Sequence, residues 1–115
     1  MSTGPATGFH YEIEDIKNER QGFIVTTIRC HGRLVRENAD EIRELVQPLI
    51  LRGGQIALDF GDLEYLDSSG LGAIVGLKVS AMKRGLCVLE LVNLTPRVKQ
   101  LLTVTNLLQL FSSER

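Results

Sequence analysis

The sequence predicts an α/β fold in which a mixed, mostly parallel sheet of four to five strands packs against three to four helices. Strand-like apolar runs alternate with amphipathic helix-like runs through short loops, a pattern that favours parallel strands joined by right-handed crossovers. Two of these runs, 55–60 and 86–92, are nearly all apolar, as expected of strands covered on both faces. The first two strand-like runs follow each other directly, which predicts an antiparallel hairpin at one edge of the sheet.

The first two strands form this hairpin. Residues 11–16 alternate partly between apolar and polar side chains, as in an edge strand. Residues 18–22 have the composition of a turn, and residues 23–30 are rich in the β-branched side chains that favour strands. We expect residues 31–37 to form a loop that leads to the first helix.

The first helix is predicted from a start signal, a periodic apolar face and a stop signal. Asn38 is placed as the N-cap, with Glu41 at the capping-box position. Gly53 and Gly54 end the helix. The apolar side chains that recur at helical spacing between these signals are Ala39, Ile42, Leu45, Val46, Leu49 and Ile50.

The second half of the chain repeats the alternation. A second helix is predicted to follow the strand at 55–60 and to end at Gly85, before the strand-like run 86–92. Thr95 and Pro96 have the order of an N-cap followed by a first-turn proline, which predicts a third helix. The short apolar run 107–111 is expected to form a last strand.

Composition limits the class of protein. With 115 residues, 43% of them apolar, the chain is long enough for one domain with one core. We expect residues 1–9 to be a flexible lead-in without a secretion signal, and residues 10–115 to be the domain. The net charge of −1 and the lack of a basic run argue against a nucleic-acid partner, and the lack of a long apolar segment argues against a membrane span.

The two cysteines, Cys30 and Cys87, lie in strand-like runs and are expected to be small buried hydrophobic residues. Without a neighbouring cluster of ligands they predict no metal site. This cysteine usage fits a reducing cytoplasm.

The segment from Asp67 to Gly72 carries the strongest functional signal. An acid, the hydroxyls of Ser68 and Ser69 and two glycines lie where a strand is followed by a helix. Free amides at a helix start suit a negative charge, and a serine there can gain one by phosphorylation. The simpler interpretation is that these residues only cap the helix. Gly70 and Gly72, costly in a first turn, favour a backbone left open to an approaching protein surface.

The same segment lacks the nearby base and the sequence motif that a catalytic serine requires. Of the two histidines, His10 lies at the entrance to the first strand and His31 follows the second strand, and no G-x-S-x-G elbow surrounds Ser68. No phosphate-binding G-K-[ST] triplet is present either. We therefore expect neither an enzyme nor a bound cofactor, and keep a Ser68 nucleophile as a minor alternative.

The run 63–72 resembles the signature of the STAS domain family of bacterial anti-sigma factor antagonists. Weaker similarities lie at 31–34, which matches the family's G-x-L turn, at 93–102 and at 105–107. Together they cover the chain from about residue 11 to residue 111. The resemblance implies the STAS fold and a protein that is a monomer or a weak dimer.

The resemblance also implies a binding function without catalysis. The unmodified protein would bind an anti-sigma factor, usually an ATP-dependent serine kinase, and so release a sigma factor. Phosphorylation of Ser68, the hydroxyl residue after the motif's acid, would end that complex, and a phosphatase would restore it. The role of Asp67 stays open between orienting this hydroxyl and capping the helix. The expected partner surface comprises Arg33, Val35, Asp67, Ser68, Ser69, Gly70, Leu71 and Gly72.

This chain departs from the family at one turn. Many members that can be phosphorylated carry G-E-L-D after the second strand, near the phosphorylation loop, whereas this chain has Arg33 and Val35 in place of the two acids. The partner surface should therefore be more basic. The departure leaves a second hypothesis open, in which an unphosphorylated STAS module serves a signalling scaffold or a transporter-associated complex.

Overall fold

The computed structural model describes residues 8–20 and 22–112, and within these ranges the chain forms a four-stranded sheet, four α-helices and one 3₁₀ helix. The predicted α/β class is thereby confirmed. In chain order the elements are β1 (Phe9–Asn18), β2 (Phe23–Leu34), the 3₁₀ helix (Arg36–Asn38), α1 (Ala39–Arg52), β3 (Gly54–Leu66), α2 (Ser68–Arg84), β4 (Cys87–Val92), α3 (Pro96–Val104) and α4 (Leu108–Ser112).

The sheet has the strand order β1-β2-β3-β4. β1 and β2 are antiparallel, while β2–β3 and β3–β4 are parallel, as the alternation of strands and helices predicts. The parallel register ends with Leu34 beside Leu66, so that β2 and β3 finish at the same edge of the sheet. This edge is where the candidate site lies.

The core joins the sheet to α1 and α2. Ile28, Leu58 and Phe60 are fully buried side chains of the central strands. β4 alternates buried Leu89 with exposed Val88, so one of its faces is open and the expectation of strands covered on both faces is wrong there. No helix of the described ranges is long and apolar enough to cross a bilayer.

Three strands are longer than predicted. β1 spans Phe9–Asn18 where only 11–16 was expected, and Phe9, placed in the expected lead-in, is buried. Residues 1–7 of that lead-in lie outside the described residues.

β2 continues to Leu34 where a loop was expected, because Leu34 is fully buried at the end of the parallel ladder. β3 continues past Phe60 to Leu66 because Leu63 and Leu66 are both buried, although exposed residues separate them from the first half of the strand.

The final apolar run is a helix, and the prediction of a last strand is wrong. Asn106 adopts a left-handed conformation with φ of 61°, and the amide of Leu107 donates to the carbonyl of Leu102 at 2.8 Å. The reversed chain then forms α4, which buries Phe111. An apolar run this short suits a buried strand and a helix equally, so only its packing decides between them.

Asn38 precedes α1 as predicted but does not form the predicted capping box with Glu41. Its side-chain oxygen accepts from the amide of Val35 at 2.8 Å, and its side-chain nitrogen donates to the carbonyl of Arg33 at 3.0 Å. Because Asn38 is buried, its side-chain amide needs hydrogen-bond partners, and these backbone groups of the preceding turn lie within hydrogen-bond distance. Asn38 therefore holds the turn that leads from β2 to α1.

Candidate functional site

The candidate site is the corner at which β3 ends and α2 begins, beside the end of β2. We call residues 33–36 and 65–72 the β3–α2 corner. The amide of Asp67 donates to the carbonyl of Leu34 at 3.3 Å, which extends the contact between the two strands by one residue. Parallel pairing thus brings together two segments that lie about thirty positions apart in the sequence.

Asp67 is the N-cap of α2. Its Oδ1 accepts from the amide of Gly70 at 2.9 Å, and its Oδ2 accepts from the amide of Arg36 at 3.1 Å. The amide of Gly70 is the main cause that holds the pKa of Asp67 below its usual range, and the amide and the positive charge of Arg36 act in the same direction. The carboxylate is therefore ionised at neutral pH and joins α2 to the 3₁₀ helix.

This arrangement favours the capping role for Asp67 over the orienting role. Both carboxylate oxygens bond to backbone amides, and within the described residues no hydrogen bond joins them to the hydroxyl of Ser68. Ser68 is the first residue of α2 and is exposed, whereas Ser69 is half-buried. The hydroxyl of Ser68 is thus accessible at a position whose backbone is firmly held.

The two glycines of the motif have different environments. Gly70 is buried, and a Cβ there would lie 2.3 Å from the carbonyl oxygen of Leu34 and 2.9 Å from Cδ1 of Leu66. Glycine is required at this position because α2 packs directly on the end of β2, so the expectation of an open backbone is wrong for Gly70. Gly72 is exposed, and a Cβ there would meet no atom within 4 Å.

The other predicted surface residues lie in the same corner with different exposure. The guanidinium of Arg33 lies 4.8 Å from the ring centroid of Tyr65, its cross-strand neighbour. Arg33 is exposed and Val35 is half-buried. Leu71 is buried in the core, so its side chain supports the corner from within. The turn that departs from the family pattern therefore does lie beside the Ser68 segment.

His31 lies in β2 and not in the expected loop, and it has partners that the sequence pattern does not predict. Its Nδ1 is 2.6 Å from Oδ2 of Asp62, its Nε2 is 3.0 Å from Oε1 of Glu12, and its ring stacks on that of His10 at 4.7 Å. The hydrogen bond with Asp62, followed by that with Glu12, raises the pKa of His31. Both ring nitrogens face carboxylates, so His31 is not arranged as a base for Ser68.

An irregularity in the pairing of β2 with β3 brings His31 and Asp62 together. The pairing of β2 with β3 shifts between Arg29 and His31, and the shift places Asp62 opposite His31. No local pattern in the sequence predicts such a shift in register. The described residues contain no grouping of three or more histidine, cysteine or acidic side chains arranged to hold a metal ion.

Comparison with known proteins gives a consistent result. The family model described as the STAS domain matches residues 15–115. The anti-sigma-B factor antagonist of Bacillus subtilis is 36% identical over 80 residues, which are 70% of this chain and 72% of that protein.

Two solved structures show the same fold at lower identity. An anti-sigma factor antagonist from Mycobacterium paratuberculosis has a TM-score of 0.71 and 15% identity, and the match covers 90% of this chain and 82% of that one. The phosphorylated form of the Bacillus cell fate determinant SpoIIAA has a TM-score of 0.65 and 23% identity over 85% of each chain.

Proposed function

This chain belongs to the STAS domain family, and from that membership we propose that it is an anti-sigma factor antagonist. Its partner would be an anti-sigma factor that is also an ATP-dependent serine kinase, and binding would release a sigma factor in the cytoplasm. The named Bacillus relative, similar over more than two thirds of each chain, supports this function. The β3–α2 corner is the proposed binding surface.

The exposure of Ser68 within a rigid corner is the observation that carries the proposal. Asp67 fixes the backbone on one side of Ser68, and the tight packing of Gly70 fixes it on the other. Such a corner offers a partner a preformed surface with an accessible hydroxyl at its centre. Binding would then require little ordering of the chain, which favours affinity.

Phosphorylation of Ser68 is the proposed switch. The kinase would transfer the γ-phosphoryl group of ATP to Oγ of Ser68, with ADP leaving and the hydroxyl proton passing to a base of the kinase. A phosphatase would hydrolyse the ester and restore the hydroxyl. The phosphate adds a charge of about −1.5 to −2 beside the ionised Asp67.

The resulting charge of about −2.5 to −3 would weaken the complex locally. Buried against a partner, it must lose water or meet a counter-charge, and against an acidic partner surface it is repelled. Because Ser68 is exposed, the chain accommodates the phosphate without repacking its core. The protein would therefore act as a binding module that is switched by modification, without catalysing a reaction itself.

Phosphopeptide mapping tests the assignment of the acceptor. The chain and its Ser68→Ala and Ser69→Ala variants are incubated with the partner kinase and ATP, and the phosphorylated peptides are identified by mass spectrometry. We expect phosphate on Ser68 in the unaltered chain and in Ser69→Ala, and none in Ser68→Ala. Phosphate on Ser69 alone would show that the acceptor is misassigned.

A second candidate function is an interaction module that is never phosphorylated. Arg33 favours it, because the basic side chain stacks on Tyr65 where many phosphorylatable relatives carry an acid. In that case the chain would serve a signalling scaffold or a transporter-associated complex. A partner that binds the corner tightly but transfers no phosphate from ATP would identify this function.

A further inference from the structure

The β3–α2 corner contains Arg33 and Arg36, and α1 contains Arg43; the three arginines differ in whether their charges already have partners. Arg33 stacks on Tyr65 at 4.8 Å. Arg43 forms an ion pair with Asp40 at 2.6 Å, one turn away on α1. Within residues 8–20 and 22–112, the guanidinium of the exposed Arg36 forms no hydrogen bond or ion pair. Arg36 is therefore the cation of this group that is available for another anion.

The backbone of Arg36 is fixed beside Ser68. Its amide donates to Oδ2 of Asp67 at 3.1 Å, and Asp67 directly precedes Ser68. The positive charge of Arg36 also contributes to the low pKa of Asp67, so the guanidinium lies within electrostatic reach of this carboxylate. An exposed arginine side chain anchored at this point can move towards Ser68 without disturbing the core.

A phosphate on Ser68 would need such a cation. The usual donors for an anion at a helix start are the first free amides. Here the amide of Gly70 already donates to the carboxylate of Asp67, and the amide of Asp67 donates to the carbonyl of Leu34 at 3.3 Å. The phosphate would instead meet the negative charge of Asp67. The helix start alone is thus a poorer phosphate site than the sequence suggests.

We propose that Arg36 is the counter-ion of phosphorylated Ser68, its planar guanidinium donating two hydrogen bonds to the phosphate oxygens. Arginine suits this role because its donors match the spacing of phosphate oxygens and its charge does not titrate. The pairing would hold the phosphate against the chain's own corner. It would also draw Arg36 away from a partner, so that modification alters two charges of the surface at once. This inference rests on the proposed modification of Ser68.

The test uses the full chain with phosphoserine placed at position 68 during translation, so that no kinase or partner is required. The pKa of the second phosphate ionisation is measured by ³¹P NMR at low ionic strength. Because a guanidinium favours the dianion, Arg36→Gln should raise this pKa by about 0.5 unit, which corresponds to about 0.7 kcal/mol. Arg36→Lys should raise it less, because the charge remains but the paired donors are lost.

Arg43→Gln is the matched control, since it removes the same charge from an arginine that already has a partner. We expect it to leave the phosphate pKa unchanged. An unchanged phosphate pKa in Arg36→Gln would overturn the proposal. An equal shift in Arg43→Gln would also overturn it, because it would show that the phosphate responds to the overall positive charge and not to a direct contact with Arg36. Arg36→Gln keeps the amide that bonds to Asp67, and amide NMR spectra confirm that each variant is folded.

The outcome is independent of the proposed partner. A chain that binds no anti-sigma factor would contradict the proposed function, yet the phosphate titration would still report on Arg36. Conversely, an unchanged titration would remove Arg36 from the switch and leave the binding function as proposed.

Discussion

Replacing Gly70 by alanine should destabilise the protein, although alanine is the better helix former. The new Cβ would lie 2.3 Å from the carbonyl oxygen of Leu34 and 3.0 Å from its carbonyl carbon. This carbonyl accepts from the amide of Asp67, so it cannot turn away without breaking the corner. Overpacking of a fixed core costs about 1–3 kcal/mol, and more when the obstacle is rigid.

The favourable term at this position is smaller. Glycine is about 1 kcal/mol less favourable than alanine inside a helix, so Gly70→Ala gains at most that amount from propensity. Because the clash is with backbone, we take the upper end of the overpacking cost and expect a net loss of about 2 kcal/mol in the free energy of unfolding. Gly72→Ala is the matched control, since its Cβ meets open space. It should gain about 0.5–1 kcal/mol.

Urea unfolding monitored by far-UV circular dichroism measures both effects, because the chain has no tryptophan to serve as a fluorescent probe. The two variants should move the midpoint in opposite directions. If Gly70→Ala unfolds at the same urea concentration as the unaltered chain or at a higher one, then α2 does not pack on the end of β2 as described.

Two further predictions concern charge. The double substitution Arg33→Glu and Val35→Asp restores the acids of the family turn and changes the local charge by about three units. It should improve binding to a serine kinase of the family, more at low salt than at high salt. Equal affinity of the two chains in a low-salt titration would show that this turn is not part of the partner surface. Hydrogen bonds to Asp62 and Glu12 raise the pKa of His31 in the folded protein. The stability that these contacts add is therefore fully present below the unfolded pKa of about 6.5 and is lost as the pH rises through the folded pKa. Urea unfolding across this range should show the advantage over His31→Gln shrinking with rising pH, and an advantage that grows would contradict the assigned contacts.

The order and type of most elements could be predicted because they depend on local patterns. The helical spacing between Asn38 and Gly53 is local, and so is the glycine stop at Gly85, whose φ of 74° confirms the predicted end of α2. Strand ends were harder to predict. β3 continues across the exposed Gly61 and Asp62, and only the burial of later residues shows why.

The site could be predicted in part for the same reason. Asp67 bonds an amide three residues ahead, a short-range contact that residue type and spacing reveal. Its second contact, with Arg36, spans 31 positions and depends on the parallel register. The need for glycine at position 70 likewise arises from a neighbouring strand. Patterns along the chain therefore located the corner, whereas its packing and charge required the structure.

Capture of the partner from the native cell tests whether this chain binds an anti-sigma factor through a surface that Ser68 controls. The unaltered chain, Ser68→Ala and Ser68→Asp are used as equal baits, and the retained proteins and the released sigma factor are identified by mass spectrometry. We expect the first two baits to retain the same anti-sigma factor and to free its sigma factor, while Ser68→Asp, equally well folded, retains little. Equal retention by Ser68→Ala and Ser68→Asp would contradict control by Ser68, and retention of no anti-sigma factor by any bait would contradict the proposed function.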